Sequence, residues 1–316
     1  MELRKQEETN VTPGIPDEWF VPKQKDKTEA EAVVRPSLSY WQDAWRRLRK
    51  NKLAMGGLVF LFLLMIMAII GPWISPHSLS QNLTEQNLPP SSKYWFGTDE
   101  LGRDVFTRVW YGARVSLFVA FAAAMIDFIV GIAYGGIAGY KGGRIDNVMM
   151  RIIEILYGVP YLLVVILIMV VIGPGLSTII LALSVTGWIG MARIVRGQVL
   201  QIKNYEFVLA SQTFGTKTGR IIRRNLLPNT MGPIIVQLTL TIPSAIFAEA
   251  FLSFLGLGIQ PPHTSWGMMA NDGLSTILSG QWWRLFFPAF FISATMFAFN
   301  VLGDGLQDAL DPKLRR

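Results

Sequence analysis

Along most of this chain, apolar and polar positions are not interleaved. They are sorted into long apolar runs separated by charged segments. About 20 apolar residues suffice to cross the hydrocarbon core of a bilayer, and six runs reach or approach that length. Leu53–Ile74 has no charge, Val115–Tyr140 has only Asp127, and Ile155–Ile172 has none. Leu176–Ala192 is diluted by Ser and Thr, Gly232–Leu255 has only Glu249, and Leu285–Leu302 has none. Gly173, Pro174 and Gly175 separate the third run from the fourth, which predicts a tight turn between antiparallel helices. The first run begins at residue 53, is too long for the apolar part of a signal peptide and shows no cleavage site, so a permanent span is expected. The pattern predicts an all-α membrane protein with six transmembrane helices.

Composition agrees. Charged residues make up 16% of the 316 and apolar residues 51%, against about 25% charged in ordinary soluble domains. With no Cys and two His, a disulfide scaffold is excluded and soft metal ligands are nearly absent. The formal charge of +7 is accounted for by placement. If the intervening segments alternate in side, 24 Lys and Arg fall on one side and 5 on the other. The positive-inside rule then puts both termini in the cytoplasm of a multi-pass cell-membrane protein, and nucleic acid is not needed as a partner.

Three pieces lie outside the runs. Residues 1–36 are charged, carry four prolines and read as a flexible cytoplasmic tail. Within 37–52, Leu38, Trp41, Trp45 and Leu48 recur at helical spacing among Arg46, Arg47, Arg49 and Lys50. That pattern predicts an amphipathic helix on the inner leaflet, with a plain polar linker as the alternative. The remainder, 53–316, contains a cytoplasmic loop, 200–230, too long for a mere connection between spans.

Catalytic motifs are lacking. Gly215-Thr216-Lys217-Thr218 lacks the spacing and the strand of a phosphate loop, and Leu278-Ser279-Gly280-Gln281 falls in an outside segment. No catalytic residue, bound cofactor or metal is expected in this chain. Gly131, Gly135 and Gly139 share one helix face, which favours close helix approach over a lining role. Asp127 and Glu249 stand within predicted spans, where ionisable groups are costly. Each is a candidate for the pathway or for helix packing.

The loop reads Asn204-Tyr205-Glu206-Phe207-Val208-Leu209-Ala210-Ser211-Gln212-Thr213-Phe214-Gly215, then Arg220-Ile221-Ile222-Arg223-Arg224-Asn225-Leu226-Leu227-Pro228-Asn229. The first part suits a short helix ended by Gly215. The second suits a helix basic on one face and apolar on the other, halted before Pro228.

This loop resembles the EAA loop of ABC importer permeases. Aligning the pattern's Gly on Gly215 puts its triplet on Leu209, Ala210 and Ser211, and its ending on Asn225, Leu226, Leu227 and Pro228. The triplet's Glu is Leu here, its second Ala is Ser, and the Ile of the ending is Asn. In the form used by the peptide-importer branch, Glu206, Ala210, Gly215, Leu227, Pro228 and Asn229 match. Three more blocks agree in order: Phe96–Phe106 with Tyr111–Arg114, Leu252–Gly258, and Leu302–Pro312. Together they identify the chain as similar to the C-type permease subunit of the oligopeptide/dipeptide/nickel ABC importers over about residues 40–316.

The resemblance implies a type I importer permease fold and a translocation pathway shared with a homologous second permease. It implies two ATPase subunits that carry the ATP and Mg, and an extracytoplasmic substrate-binding protein. Glu206, Ala210, Ser211, Gly215, Leu227 and Pro228 would couple the chain to the ATPases. Asp99, Arg103 and Asp104 would be contacts for the binding protein, or a solvated cap at the pore mouth. Leu255-Gly256-Leu257-Gly258 would form part of the outer gate. Peptide is the implied cargo, with nickel or a nickel chelate as the alternative. A stand-alone secondary transporter would need more spans and an inverted repeat.

Overall fold

The computed structural model describes residues 39–77, 82–260 and 263–311; the expected tail, 1–36, and Leu38 lie outside them. Among the described residues there are helices and one isolated bridge, Thr98 to Asp104, but no strand. α1 (Tyr40–Lys50) and α2 (Lys52–Ile74) meet at Asn51, whose side chain accepts the Ala54 N–H at 3.1 Å and caps α2. In α1, Leu48 and Ala44 are buried while Trp45 is exposed beneath the Arg49 guanidinium.

Pro72 lies inside α2 and offers no N–H to the carbonyl of Ala68. Arg114 supplies the missing donor, its Nε bonding the Ala68 oxygen at 2.6 Å while its head lies over the Trp73 ring. A buried unmet carbonyl costs about 1–3 kcal/mol, so this arginine repairs the helix that Pro72 interrupts.

α3 (Val105–Lys141) is longer than the predicted run because Asp104 caps it well before Val115, accepting the Phe106 and Thr107 N–H groups. It ends at Gly142, with φ of 65°. α3 packs chiefly on α6 (Leu176–Ile202) and also on α2 and α9 (Leu227–Phe254). Gly131, Gly135 and Gly139 form the close seam with α6: a Cβ at Gly139 would sit 2.9 Å from the Arg196 carbonyl oxygen. The seam pairs Gly131 with Met191, Gly135 with Val195 and Gly139 with Val199, so the two helices run parallel.

The third predicted run, Ile155–Ile172, is not one straight span. It is split between α4 (Gly143–Gly158) and α5 (Tyr161–Ile172), which meet at 82°. Pro160 is the cause: it withdraws one N–H and forces Val159 out of the helical region, to ψ of 127°. α5 alone rises about 18 Å, short of the bilayer core of about 30 Å, so α4 and α5 together make one broken span. With five helices long and apolar enough to cross, the described residues then hold up to six crossings. The Gly173–Gly175 turn joins α5 to α6 as expected, with Gly173 at φ of 93°.

A second correction concerns Pro228. α7 (Glu206–Thr213) is followed by α8 (Thr218–Ile221), which passes through a π turn over Ile222–Leu226 directly into α9. The helix is not halted before Pro228; it runs through it. The wider turn places Pro228 in a fresh first turn of α9, where its missing N–H costs little. α9 ends at Gly256, where the Gly256 N–H reaches the Ser253 oxygen and the Leu257 N–H the Leu252 oxygen. α10 (Trp266–Leu274), which no apolar run announced, starts at the Ser265 cap. α11 (Trp283–Leu310) completes the bundle, packing on α9, α2 and α10.

Candidate functional site

α7 stands at the end of the bundle that carries the α6–α9 loop. Val208 is fully buried and anchors it, whereas Tyr205, Phe207, Leu209 and, at 87%, Phe214 are exposed. A helix of eight residues with two large apolar side chains exposed on it and two more at its caps is poorly stabilised alone and well suited to a groove in another protein. Glu206 begins the helix, where the positive end of the dipole favours a carboxylate. The far end is a Schellman cap: the Thr216 N–H bonds the Ser211 oxygen at 3.2 Å and the Gly215 N–H the Gln212 oxygen at 2.8 Å. Gly215 holds the φ of 70° that this cap requires.

Ser211 and Asn225 are two of the positions where the loop departs from the EAA pattern. They face each other. Asn225 Nδ2 donates to Ser211 Oγ at 2.7 Å, and Ser211 Oγ donates in turn to the Phe207 carbonyl at 2.9 Å. The bond ties α7 to the π turn, and thus to the start of α9. Leu226 is buried beneath that turn, Leu227 is half-buried and Pro228 is exposed. The structure therefore joins Ser211, Gly215 and the turn before Pro228 in one small unit, with Glu206 and Ala210 on its outer surface.

At the opposite end, Asp99 and Asp104 are not surface groups. Asp99 is 1% exposed and accepts from Arg103 Nε at 2.7 Å, Arg108 Nη1 at 2.5 Å and the backbone N–H of Leu101 and Arg103. Burial pushes its carboxyl up, but Arg108 and Arg103 outweigh burial and hold it below the usual range. Asp104, 2% exposed, caps α3 and accepts the hydroxyls of Ser75 and Thr107. These acids hold the segment before α3 together from within, as a platform whose outer face they do not form; Arg103, less deeply buried, lies nearer that face. Arg108 also faces Asp272 at 3.5 Å, and Arg284 bonds Glu100 at 3.0 Å, tying the segment before α3 to α10 and α11. Sequence reasoning missed Arg108, Asp272 and Arg284, because nothing local links residues more than 150 positions apart. Arg108→Met, by leaving Asp99 buried beside Arg103 alone, is expected to cost about 3–5 kcal/mol. Thermal unfolding of the solubilised protein measures it, with Arg108→Lys falling between parent and Met.

Glu249 is fully buried and accepts from Ser116 of α3 at 3.0 Å and Ser253 of α9 at 2.8 Å. Ser116 Oγ also accepts the Trp266 N–H at 3.2 Å. This carboxyl joins α3, α9 and α10, with both its oxygens hydrogen-bonded. Asp127 is different. It is 4% exposed, its Oδ1 has no partner, and it abuts Gly187 so closely that a Cβ there would overlap the carboxyl. The buried hydroxyls of Tyr161 and Ser184 are likewise unpartnered. A buried carboxyl without partners costs stability, so Asp127→Asn is expected to assemble at least as well as the parent. Normal assembly with reduced uptake places Asp127 in transport; reduced assembly makes it a packing group.

Comparison with known proteins gives two family matches. Residues 131–316 match the model of the binding-protein-dependent transport system inner membrane component. Residues 39–90 match the N-terminal transmembrane domain of oligopeptide transport permease C. The chain is 77% identical over 303 residues to the dipeptide transport system permease protein DppC of Bacillus subtilis, covering 96% of this chain and 95% of that one. It is 56% identical to the oligopeptide transport system permease protein OppC of the same organism, covering 96% and 99%. It is 43% identical to OppC of Escherichia coli K12, covering 88% and 92%. Among solved structures, an inward-facing form of the MetNI methionine ABC transporter superposes with a TM-score of 0.52 at 18% identity, covering 63% of this chain and 94% of that one. That likeness speaks for the fold.

Proposed function

This chain belongs to the family of binding-protein-dependent transport inner-membrane components, and from that premise we propose that it forms the translocation pathway of a peptide ABC importer together with a homologous second permease. The cargo reading rests on the dipeptide and oligopeptide names of the relatives above; nickel or a nickel chelate is the alternative that the sequence leaves open. The single observation that carries the mechanism is α7, a short helix that leaves apolar side chains unpartnered at the end of the bundle. Two ATPase subunits would carry ATP, Mg and hydrolysis, while this chain contributes no catalytic group. α7 would seat in a groove of one ATPase. Closure of the ATPases would move it, and the Ser211–Asn225 bond and π turn would pass that movement to α9. A substrate-binding protein would deliver cargo at the opposite end, on the platform that Asp99, Asp104 and Arg108 hold.

The excess of basic residues on one side, 24 against 5, supports a cytoplasmic position for α7 and both termini. Because the chain has no cysteine, single introduced ones report side without background. Ser92→Cys and His263→Cys are expected to react with a membrane-impermeant thiol reagent in intact cells, and Ser211→Cys only after permeabilisation. Labelling of Ser211→Cys from outside contradicts the orientation and, with it, the ATPase contact.

A further inference from the structure

Between α4 and α6 lies a cavity of about 660 Å³, lined by Asn147, Met150, Arg151, Glu154, Arg193 and Arg196 together with Ile153. Its depth follows from the glycine seam. Gly135 packs on Ala192 and Val195, and Gly139 on the Arg196 carbonyl. Both glycines lie within the apolar run Val115–Tyr140, so Arg193 and Arg196 sit beside its last two turns, a depth that the run itself assigns to the inner half of a bilayer. α4 presents two stripes. Ile145, Val148, Ile152 and Ile155 are exposed along one, while Asn147, Arg151 and Glu154 line the cavity along the other. Charged side chains at such a depth face water rather than lipid. The cavity is therefore a wet pocket cut into the membrane beside the Pro160 break.

Its charges do not cancel. Arg196 donates through Nε and Nη2 to the two oxygens of Asp146, at 2.5 and 2.7 Å, and Arg151 is paired with Glu154 at 2.9 Å. Among the described residues Arg193 has no acidic partner; its guanidinium lies over the Tyr157 ring, 4.9 Å from the centroid. One planar cation is thus held on an aromatic plate, its donors free for an anion. A guanidinium fork matches a carboxylate in two hydrogen bonds.

We propose that this cavity is a carboxylate subsite of the translocation route, in which Arg193, steadied by Tyr157, binds the C-terminal carboxylate of the peptide cargo. The inference rests on the permease reading above. A free peptide carries one such carboxylate, and a pocket with one uncompensated cation suits a single negative charge. Peptides blocked as amides lose that charge and the fork's two acceptors.

The test uses the assembled complex of both permeases and the ATPases, with Met150→Cys in this otherwise cysteine-free chain, after checking that it imports trialanine (Asn147→Cys replaces it if it does not). Alkylation of the new thiol is followed on this chain's band with trialanine, trialanine amide or dioctanoyl phosphatidylglycerol added. Trialanine is expected to slow alkylation and its amide to fail. Adding Arg193→Gln should raise the trialanine concentration needed about tenfold or more, the weight of a charged hydrogen bond, while Arg193→Lys keeps most of the effect. Equal protection by acid and amide overturns the subsite, as does protection by the phospholipid alone, which would make the cavity a headgroup site. Import without any protection also overturns it while leaving the permease reading intact. Absence of import by the unmodified complex defeats that reading instead.

Discussion

Gly215→Val abolishes ATP-driven uptake while the six crossings still insert: that is the largest functional effect the structure predicts. The Schellman cap after α7 needs a residue at φ of 70°, where a side chain costs roughly 1–2 kcal/mol and a β-branched one more. A helix anchored by Val208, the Ser211–Asn225 bond and a long Gln212–Tyr140 bond of 3.4 Å has little to spare, so the penalty is met by unwinding the cap and turning α7 away. The spans, held by bilayer and seam, do not share that cost. ATPase copurifies poorly with this variant, or hydrolyses ATP without regard to substrate. Ala210→Glu acts by another route. Ala210 is exposed in the isolated chain, so a glutamate disturbs only what docks there, and the two variants should fail alike. Ser211→Ala is the milder case. It strands the Asn225 amide and should lower coupling modestly, by about 0.5–1.5 kcal/mol in stability of the loop. Ser211→Ala with Asn225→Ile restores the family's apolar pair, and is expected to recover most of the loss.

The largest structural effect falls on the glycine seam. A Cβ at Gly135 would overlap the Ala192 carbonyl oxygen and lie 2.9 Å from Val195 Cβ. Gly135→Val therefore forces α3 from α6 along the most extensive helix contact in the bundle. Overpacking commonly costs about 1–3 kcal/mol, and more where, as here, the obstacle is backbone. Without a hydrophobic drive inside lipid, close approach is most of what holds two spans together. The expected outcome is a sharp fall in assembled complex on size exclusion, with the residual fraction transporting normally. Gly158→Val, whose Cβ would meet nothing within 4 Å, should leave yield unchanged.

What was legible in the sequence divides along physical lines. Long apolar runs gave the spans, and glycines at spacing four gave the seam, because both signals are local. Gly215 as a helix end was legible for the same reason. The broken third span was not: in an all-apolar run periodicity cannot reveal a bend, and only Pro160 marked it. Pro228 misled in the opposite sense, since a π turn upstream absorbed a proline that ordinarily ends a helix. α10 was hidden because nine residues without an apolar run carry only a serine cap as their sign. Asp99 and Asp104 read as surface charges because their polar composition carries no record of Arg108 and Ser75 folding over them. The two odd residues of the loop, Ser211 and Asn225, weakened the pattern when taken singly; only the fold shows that each is the other's partner.

The most direct test of the account is accumulation of a labelled peptide in proteoliposomes. They hold this chain, its second permease and the ATPases, with binding protein added outside the vesicle on the face opposite α7. The account predicts accumulation that requires ATP, binding protein and every subunit, and that disappears with Gly215→Val while insertion persists. Accumulation by this chain alone in response to an ion gradient, or uptake unchanged in the Gly215→Val complex, would contradict it.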